Sequence, residues 1–309
     1  LAYLGGAGST GAERVLVDRE GRAQSLPAAR NTYTTPRFSP NGRQIAVTIT
    51  SVGGASGGIL SGDVWVWDIG ARNFQRITFD TSSGYADWMP DGRRLVYGRW
   101  RTGSTIALYR ILMDGSGQPE SLLTRPDAIY ESSLTPDGRW VVFRETTRGA
   151  NRDILIAPLD SPKAVRGLLV TPFDERNPTV SADGRWLAYV SNETGTSEVY
   201  IRGLAEGSGR AIVSRGGGTE PVWARNGREL FYRANDSAYV VAVTPGAEFR
   251  ASSPRELFGG RFITANVTNW DVSPDGQRFV MVRGTDAALP GLPLHVVLHW
   301  FDQLRAQRR

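Results

Sequence analysis

The residues of this 309-residue chain that could do chemistry are few. Gly54-Ala55-Ser56-Gly57-Gly58 fits the pattern in which a serine nucleophile is held on a sharp strand-to-helix turn. That turn needs a strand before it and a helix after it, whereas this pentapeptide lies in a Gly/Ser-rich loop between two strands of one sheet, so the match reads as accidental. His295 and His299, the only histidines, stand an even number of residues apart and share one face of a strand. Two imidazoles with no third ligand nearby make a poor metal site, and packing against a neighbouring element is the better reading. Asp91, Asp137, Asp183 and Asp275 each precede a turn glycine and hold their own backbones, which disqualifies them as a glycosidase pair. With no cysteine there is no thiolate nucleophile or ligand. The expectation is a chain with no catalytic residue, no metal and no cofactor.

A different set offers binding chemistry. Thr35, Tyr85, Glu131, Asn177, Glu220 and Asn269 each stand four residues ahead of a recurring turn, and Arg176 lies beside one of them. Polar groups brought from separate repeats to one mouth of a channel would suit a polar or zwitterionic group such as a peptide terminus.

The elements that must position this set are set by the turn. Leu134-Thr135-Pro136-Asp137-Gly138-Arg139 recurs as Phe38-Ser39-Pro40-Asn41-Gly42-Arg43, Trp88-Met89-Pro90-Asp91-Gly92-Arg93, Val180-Ser181-Ala182-Asp183-Gly184-Arg185, Trp223-Ala224-Arg225-Asn226-Gly227-Arg228 and Val272-Ser273-Pro274-Asp275-Gly276-Gln277. Proline pre-sets its φ, Asp or Asn tolerates the third place, and glycine supplies the positive φ that closes a hairpin. The strand leaving each turn is apolar throughout, as in Gln44-Ile45-Ala46-Val47 and Phe279-Val280-Met281-Val282, so it is covered on both faces. The turn glycines are 43 to 50 residues apart, the spacing of a four-stranded propeller blade.

The fold expected is therefore an all-β propeller of four-stranded antiparallel blades. Residues 1–30 read as a partial N-terminal blade, 31–265 as five full repeats, 266–301 as the last blade and 302–309 as a polar tail. On that division there are seven blades, with the third strand of the last supplied by Leu294 to Phe301. The alternative is six, in which the N-terminal strands complete the last blade. Trp88, Trp223, Trp140, Trp186, Trp65 and Trp67 occupy positions that pack blade on blade, which sets aside a carbohydrate platform. The losses of Ser-Pro at Ala182 and at Ala224-Arg225 should weaken those turns.

The net charge of +5 is carried by arginines scattered along the chain, Lys163 being the sole lysine. No basic block precedes the Arg305 to Arg309 tail, which speaks against a nucleic-acid partner. No stretch approaches the ~18 apolar residues of a membrane span, and Leu1-Ala2-Tyr3-Leu4 does not open a signal peptide, so the chain reads as part of something longer.

These turns resemble the bacterial WD-repeat-like family built on Ser-Pro-Asp-Gly, seen in the TolB propeller and in propellers fused to bacterial serine/threonine kinases. The stretch from Tyr232 through Phe258, and Trp270 to Phe279 followed by Val296 to Leu304, are similar to the kinase-attached group. That resemblance implies a non-catalytic, extracytoplasmic and monomeric domain that senses or binds a protein, a peptide or a small polar ligand. A periplasmic TolB-like envelope protein and the gating propeller of a prolyl-oligopeptidase-like hydrolase are the alternatives.

Overall fold

The computed structural model describes residues 2–4, 12–27, 31–50, 62–101, 105–114, 116–146, 152–205, 209–244, 246, 248–284 and 294–296. Among them there is no helix. Six blades are arranged so that each inner strand, here strand a, is followed outward by b, c and d. Blade 1 comprises Thr32–Phe38, Gln44–Thr50, Gly62–Asp68 and Asn73–Arg76; blade 2 comprises Ser83–Trp88, Arg94–Arg101, Thr105–Leu112 and Glu120–Leu123. Blade 3 is Ala128–Leu134, Trp140–Thr146, Arg152–Pro158 and Arg166–Leu169, and blade 4 is Arg176–Val180, Trp186–Ser191, Glu198–Gly203 and Arg210–Ile212. In blade 5, Thr219–Trp223, Glu229–Ala234 and Ser237–Thr244 are followed by an outer strand at Arg255–Gly259, with the short Arg250–Ala251 pairing alongside.

The sixth blade corrects the count of seven. Its a and b strands are Trp270–Val272 and Arg278–Gly284, but its c and d strands are Ala12–Asp18 and Ala23–Ser25 from the other end of the chain. Ala12 pairs with Gly284 and the register runs unbroken to Asp18 opposite Arg278. The N-terminal strands thus complete the last blade, because a double-faced strand such as Arg278–Gly284 needs a neighbour on its outer side and the apolar N-terminal strand supplies it. Leu294–Val296 is not the third strand of that blade; it pairs with Ala2–Leu4 in a separate two-stranded ribbon.

Ring closure is also visible in the core. Each interface between adjacent blades has its own apolar cluster, and the one between blades 6 and 1 joins Leu16, Val280 and Val282 to Tyr33, Ile45, Val47 and Trp67. Arg14 on the closing strand is buried there, its guanidinium carbon 4.2 Å from the Tyr33 ring centre and 4.3 Å from that of Phe74. Burial lowers its pKa to about 10, so it stays charged at neutral pH and is held by ring quadrupoles.

The turns take the form their residues dictate. In blade 1, Ser39 Oγ donates to Asn41 Oδ1 at 2.8 Å and accepts from Gln44 N at 2.9 Å, while Asn41 Oδ1 also accepts from Arg43 N at 3.0 Å. Thr135, Ser181 and Ser273 make the same pair of bonds. The turns without Ser-Pro keep their geometry: Gly184 N donates to Ser181 O, and Gly227 N to Ala224 O, both at 2.9 Å. Glycine fixes the shape, and proline adds packing, since the site a Cβ would take on Gly42 lies 3.0 Å from Pro274 of the preceding blade.

Gly138 has φ +66, and a Cβ there would meet nothing nearer than Pro90 at 3.7 Å, so the penalty for a side chain is conformational rather than steric. Gly138→Val should cost on the order of 1–3 kcal/mol, read as a lower urea midpoint with the slope unchanged. A midpoint equal to the parent's would show that the turn does not depend on that conformation.

Candidate functional site

The set of residues that the turn register singles out does converge, and the backbone explains how. In blades 1 to 5 the pairing of strands a and b skips one residue on strand a, as between Thr34 and Arg37 opposite Thr48 and Ala46. This is a bulge, and it turns the extra residue toward the axis. Thr35, Tyr85, Asn177 and Glu220 sit in it with φ between 49° and 54°, a conformation costly for non-glycine residues.

These inward groups are spent on one another. Asn177 N donates to Glu131 Oε1 at 2.9 Å, Asn269 N to Glu220 Oε2 at 2.8 Å, and Thr35 N to Asn269 Oδ1 at 2.8 Å, each bond crossing from one blade to the next. Within a blade, the bulge residue faces the sixth residue after the turn glycine. Thr35 meets Thr48 at 3.1 Å, Glu131 meets Arg144 at 3.0 Å and Glu220 meets Arg233 at 3.9 Å, while the large Tyr85 stands beside Gly98. Tyr85 also packs edge-on to Tyr130 at 6.0 Å.

Nor is that mouth open. Residues 260–268, between blades 5 and 6, cross the channel as a strap. Arg233 donates to Phe262 O and Ile263 O, both at 3.0 Å, and Arg144 to Asn266 O at 3.1 Å. Arg176 donates to Asn266 Oδ1 at 3.2 Å, Glu220 Oε1 accepts Ala265 N at 3.4 Å, and Val267 is buried with Tyr85 and Ile106. Thr35, Tyr85, Glu131, Asn177, Glu220 and Asn269 are all buried and Arg176 is half-buried. The expected free surface at this mouth is therefore replaced by an internally bonded plug, and none of the set lines the cavity on the other side of it.

The opposite end, where the turns lie, is open. A cavity of about 280 Å³ runs from the turn residues Pro40, Pro90, Pro136 and Ala182 down to Thr268 of the strap. All six blades line it, at the place two residues before the turn, with Arg37, Asp87, Ser133, Thr179, Val222 and Asp271; Arg225 is added from the blade 5 turn. Asp271 Oδ2 accepts Phe38 N at 2.7 Å and Asp87 Oδ1 accepts Trp88 N at 2.8 Å. Burial pushes both carboxyls above the ordinary carboxylate range, against the opposing pull of Arg37 and Arg225. Trp88 and Trp223 help to line this cavity while donating their indole N–H groups to Arg37 O and Thr179 O of the preceding blades.

Arg37, Asp87, Asp271 and Arg225 were not singled out by sequence reasoning. The signal was available: the same register that marks the bulge marks this inner position, and Arg225 replaces the turn proline. Among the other candidates, Ser56 and His299 lie outside the described residues, and His295 pairs with Tyr3 in the two-stranded ribbon. No group of three or more His, Cys, Asp or Glu among the described residues has the arrangement to hold a metal ion.

Comparison with known proteins agrees with this architecture. The model of the TolB β-propeller domain matches residues 15–193, and that of the lipoprotein LpqB β-propeller domain matches residues 160–293. No curated protein sequence matches the chain. Among solved structures, a putative TolB from Agrobacterium tumefaciens aligns with TM-score 0.68 at 19% identity over 91% of this chain and 100% of its own. TolB from Acinetobacter baumannii aligns with TM-score 0.58 at 18% identity over 91% and 67% respectively, and the tricorn protease with 0.60 at 18% over 86% and 27%. At such identities the likeness is one of fold.

Glu220 makes the plug sensitive to pH. Burial pushes its pKa from 4.5 up to about 7, opposed first by Arg233 and then by the amides of Asn269 and Ala265. A folded-state pKa above the unfolded value means that this group's stabilising contribution is complete below about pH 4.5 and is lost as pH rises through about 7. Parent stability minus that of Glu220→Gln should fall across this window by on the order of 1–3 kcal/mol, then level off. Asp87 and Asp271 titrate in both proteins and cancel in the difference. Urea melts at half-unit pH steps test this, and a pH-independent difference refutes it.

Proposed function

We propose that this chain, which belongs to the TolB β-propeller family, is a binding propeller that takes a polar segment of a partner protein into its central channel from the turn face. The observation that carries this reading is convergence. Side chains from all six blades meet in one cavity, closed at its far end by residues 260–268, whereas the other cavities among the described residues draw on one or two neighbouring blades each. The buried bulge set, from Thr35 round to Asn269 with Arg176, serves this site by holding its closed end.

Binding rather than catalysis fits the lining, which presents arginines, carboxylates held by main-chain amides, and hydroxyls, with no nucleophile placed against a base. An extracytoplasmic setting follows the two matching families, which are those of TolB and lipoprotein LpqB propellers. No helix among the described residues is long and apolar enough to cross a membrane. Attachment to a kinase, suggested by the 232–258 and 270–304 stretches, finds no support in either family, and the TolB-like reading is preferred.

Filling the channel tests the proposal. Thr179→Trp should block the cavity, while Ile212→Ser, on the exposed outer strand of blade 4, should leave it open. In capture from a periplasmic extract quantified by mass spectrometry, parent and Ile212→Ser should enrich the same protein, and Thr179→Trp should lose it at least ~10-fold, about 1.4 kcal/mol of binding. Loss in Ile212→Ser with retention in Thr179→Trp would move the site to the rim and defeat the reading.

A further inference from the structure

Resting on that channel reading, we propose that the group the cavity takes is a cation, the ammonium or guanidinium of a lysine, an arginine or an amino terminus, seated between Asp87 and Asp271. These two carboxylates occupy the same inner position on blades 2 and 6. Each is held by main-chain amides and neither forms an ion pair with a described residue, so charge remains available to the cavity. Arg37 of blade 1 lies between them in ring order, but its Nη1 is committed to three carbonyls: Pro36 O at 2.8 Å, Thr268 O at 3.2 Å and Trp270 O at 3.2 Å.

A third acceptor stands in the same lining. Ser132 Oγ is buried, with the residue 9% exposed, and has no hydrogen-bond partner. A buried hydroxyl without a partner is costly, and an entering N–H group would satisfy it. Two carboxylates and a free hydroxyl suit the three donors of an ammonium or the fork of a guanidinium. Burial raises the pKa of both aspartates in spite of the nearby charges of Arg37 and Arg225, and a bound cation would add to that opposing pull. Arg225, exposed at the blade 5 turn, opposes a lone cation, which makes it a reporter of the ligand's sign.

The test uses the 309-residue protein and two blocked peptides, acetyl-Gly-Arg-Gly-amide and its citrulline counterpart, which differ in charge and hardly in shape. Titration is followed by calorimetry and by the fluorescence of the channel residues Trp88 and Trp223. The arginine peptide should bind at least ~10-fold more tightly than the citrulline peptide. Asp87→Asn with Asp271→Asn should abolish that preference. Arg225→Ala should tighten arginine-peptide binding several-fold, a gain that damaged folding cannot imitate. Equal binding of both peptides, or weaker binding in Arg225→Ala, overturns the cation and leaves the channel reading standing. No saturable binding of either peptide also overturns it, and the capture comparison with Thr179→Trp then decides separately whether the channel is a site at all.

Discussion

One extra residue in the inner strand governs the interior of this propeller. Inserting it frees a main-chain amide from the strand ladder among buried groups, where an unmet N–H costs about 1–3 kcal/mol. The chain answers with a side chain from the preceding blade, Glu131 for Asn177 and Asn269 for Thr35, and Glu220 does the same for Asn269, which precedes the regular inner strand of blade 6. Among the described residues three junctions, blade 3 to 4, blade 5 to 6 and blade 6 to 1, are tied in register this way. The tryptophan indoles repeat the logic in the opposite direction, as Trp88, Trp223 and Trp270 donate back to Arg37 O, Thr179 O and Glu220 O.

Carboxylates used this way bring charge into the core, and the magnitudes decide where counter-ions must stand. A buried carboxylate left alone costs several kcal/mol, so blades 3 and 5, whose acceptors are glutamates, also carry arginines at the facing position. Blade 1, with Thr35, needs only Thr48. Each arginine still has donors to satisfy, and these hold the strap through its carbonyls at Phe262, Ile263 and Asn266. Closure of one mouth is thus a consequence of how the inner amides are capped: remove the glutamates, and the arginines that grip the strap would lose their reason to be buried.

What was legible in the sequence was local. Pro136-Asp137-Gly138 states its turn, Phe279-Val280-Met281-Val282 states a strand covered on both sides, and fixed register placed Thr35 and Glu220 on one axis although they lie 185 residues apart in the chain. Closure by the N-terminal strands was legible only as the alternative to a seventh blade, because pairing Glu13 with Arg283 is a contact across 270 residues that no periodicity marks. Burial of the bulge set was not legible. It depends on the path of residues 260–268, which form no blade strand and are placed by arginines on blades 3, 4 and 5 rather than by their own pattern.

In a ring of repeats, whatever is the same in every blade builds the ring, and specificity must come from where blades differ. The turn glycine and the double-faced strand are common to all six. At the inner lining position, by contrast, the sequence around the ring runs Arg37, Asp87, Ser133, Thr179, Val222, Asp271, and blade 5 alone places an arginine where other turns have proline or alanine. Charge is thereby concentrated on blades 6, 1 and 2, with hydroxyls and an apolar residue opposite. A cavity so polarised can orient what enters it, which a six-fold symmetric channel could not. The turns at Ala182 and Ala224-Arg225 close with the same main-chain bond as the others, although Ala224 lacks the hydroxyl that bonds twice in its counterparts. These departures put a smaller side chain at Ala182 and a charge at Arg225 in the lining of the cavity, which sets the least regular part of the repeat at its mouth.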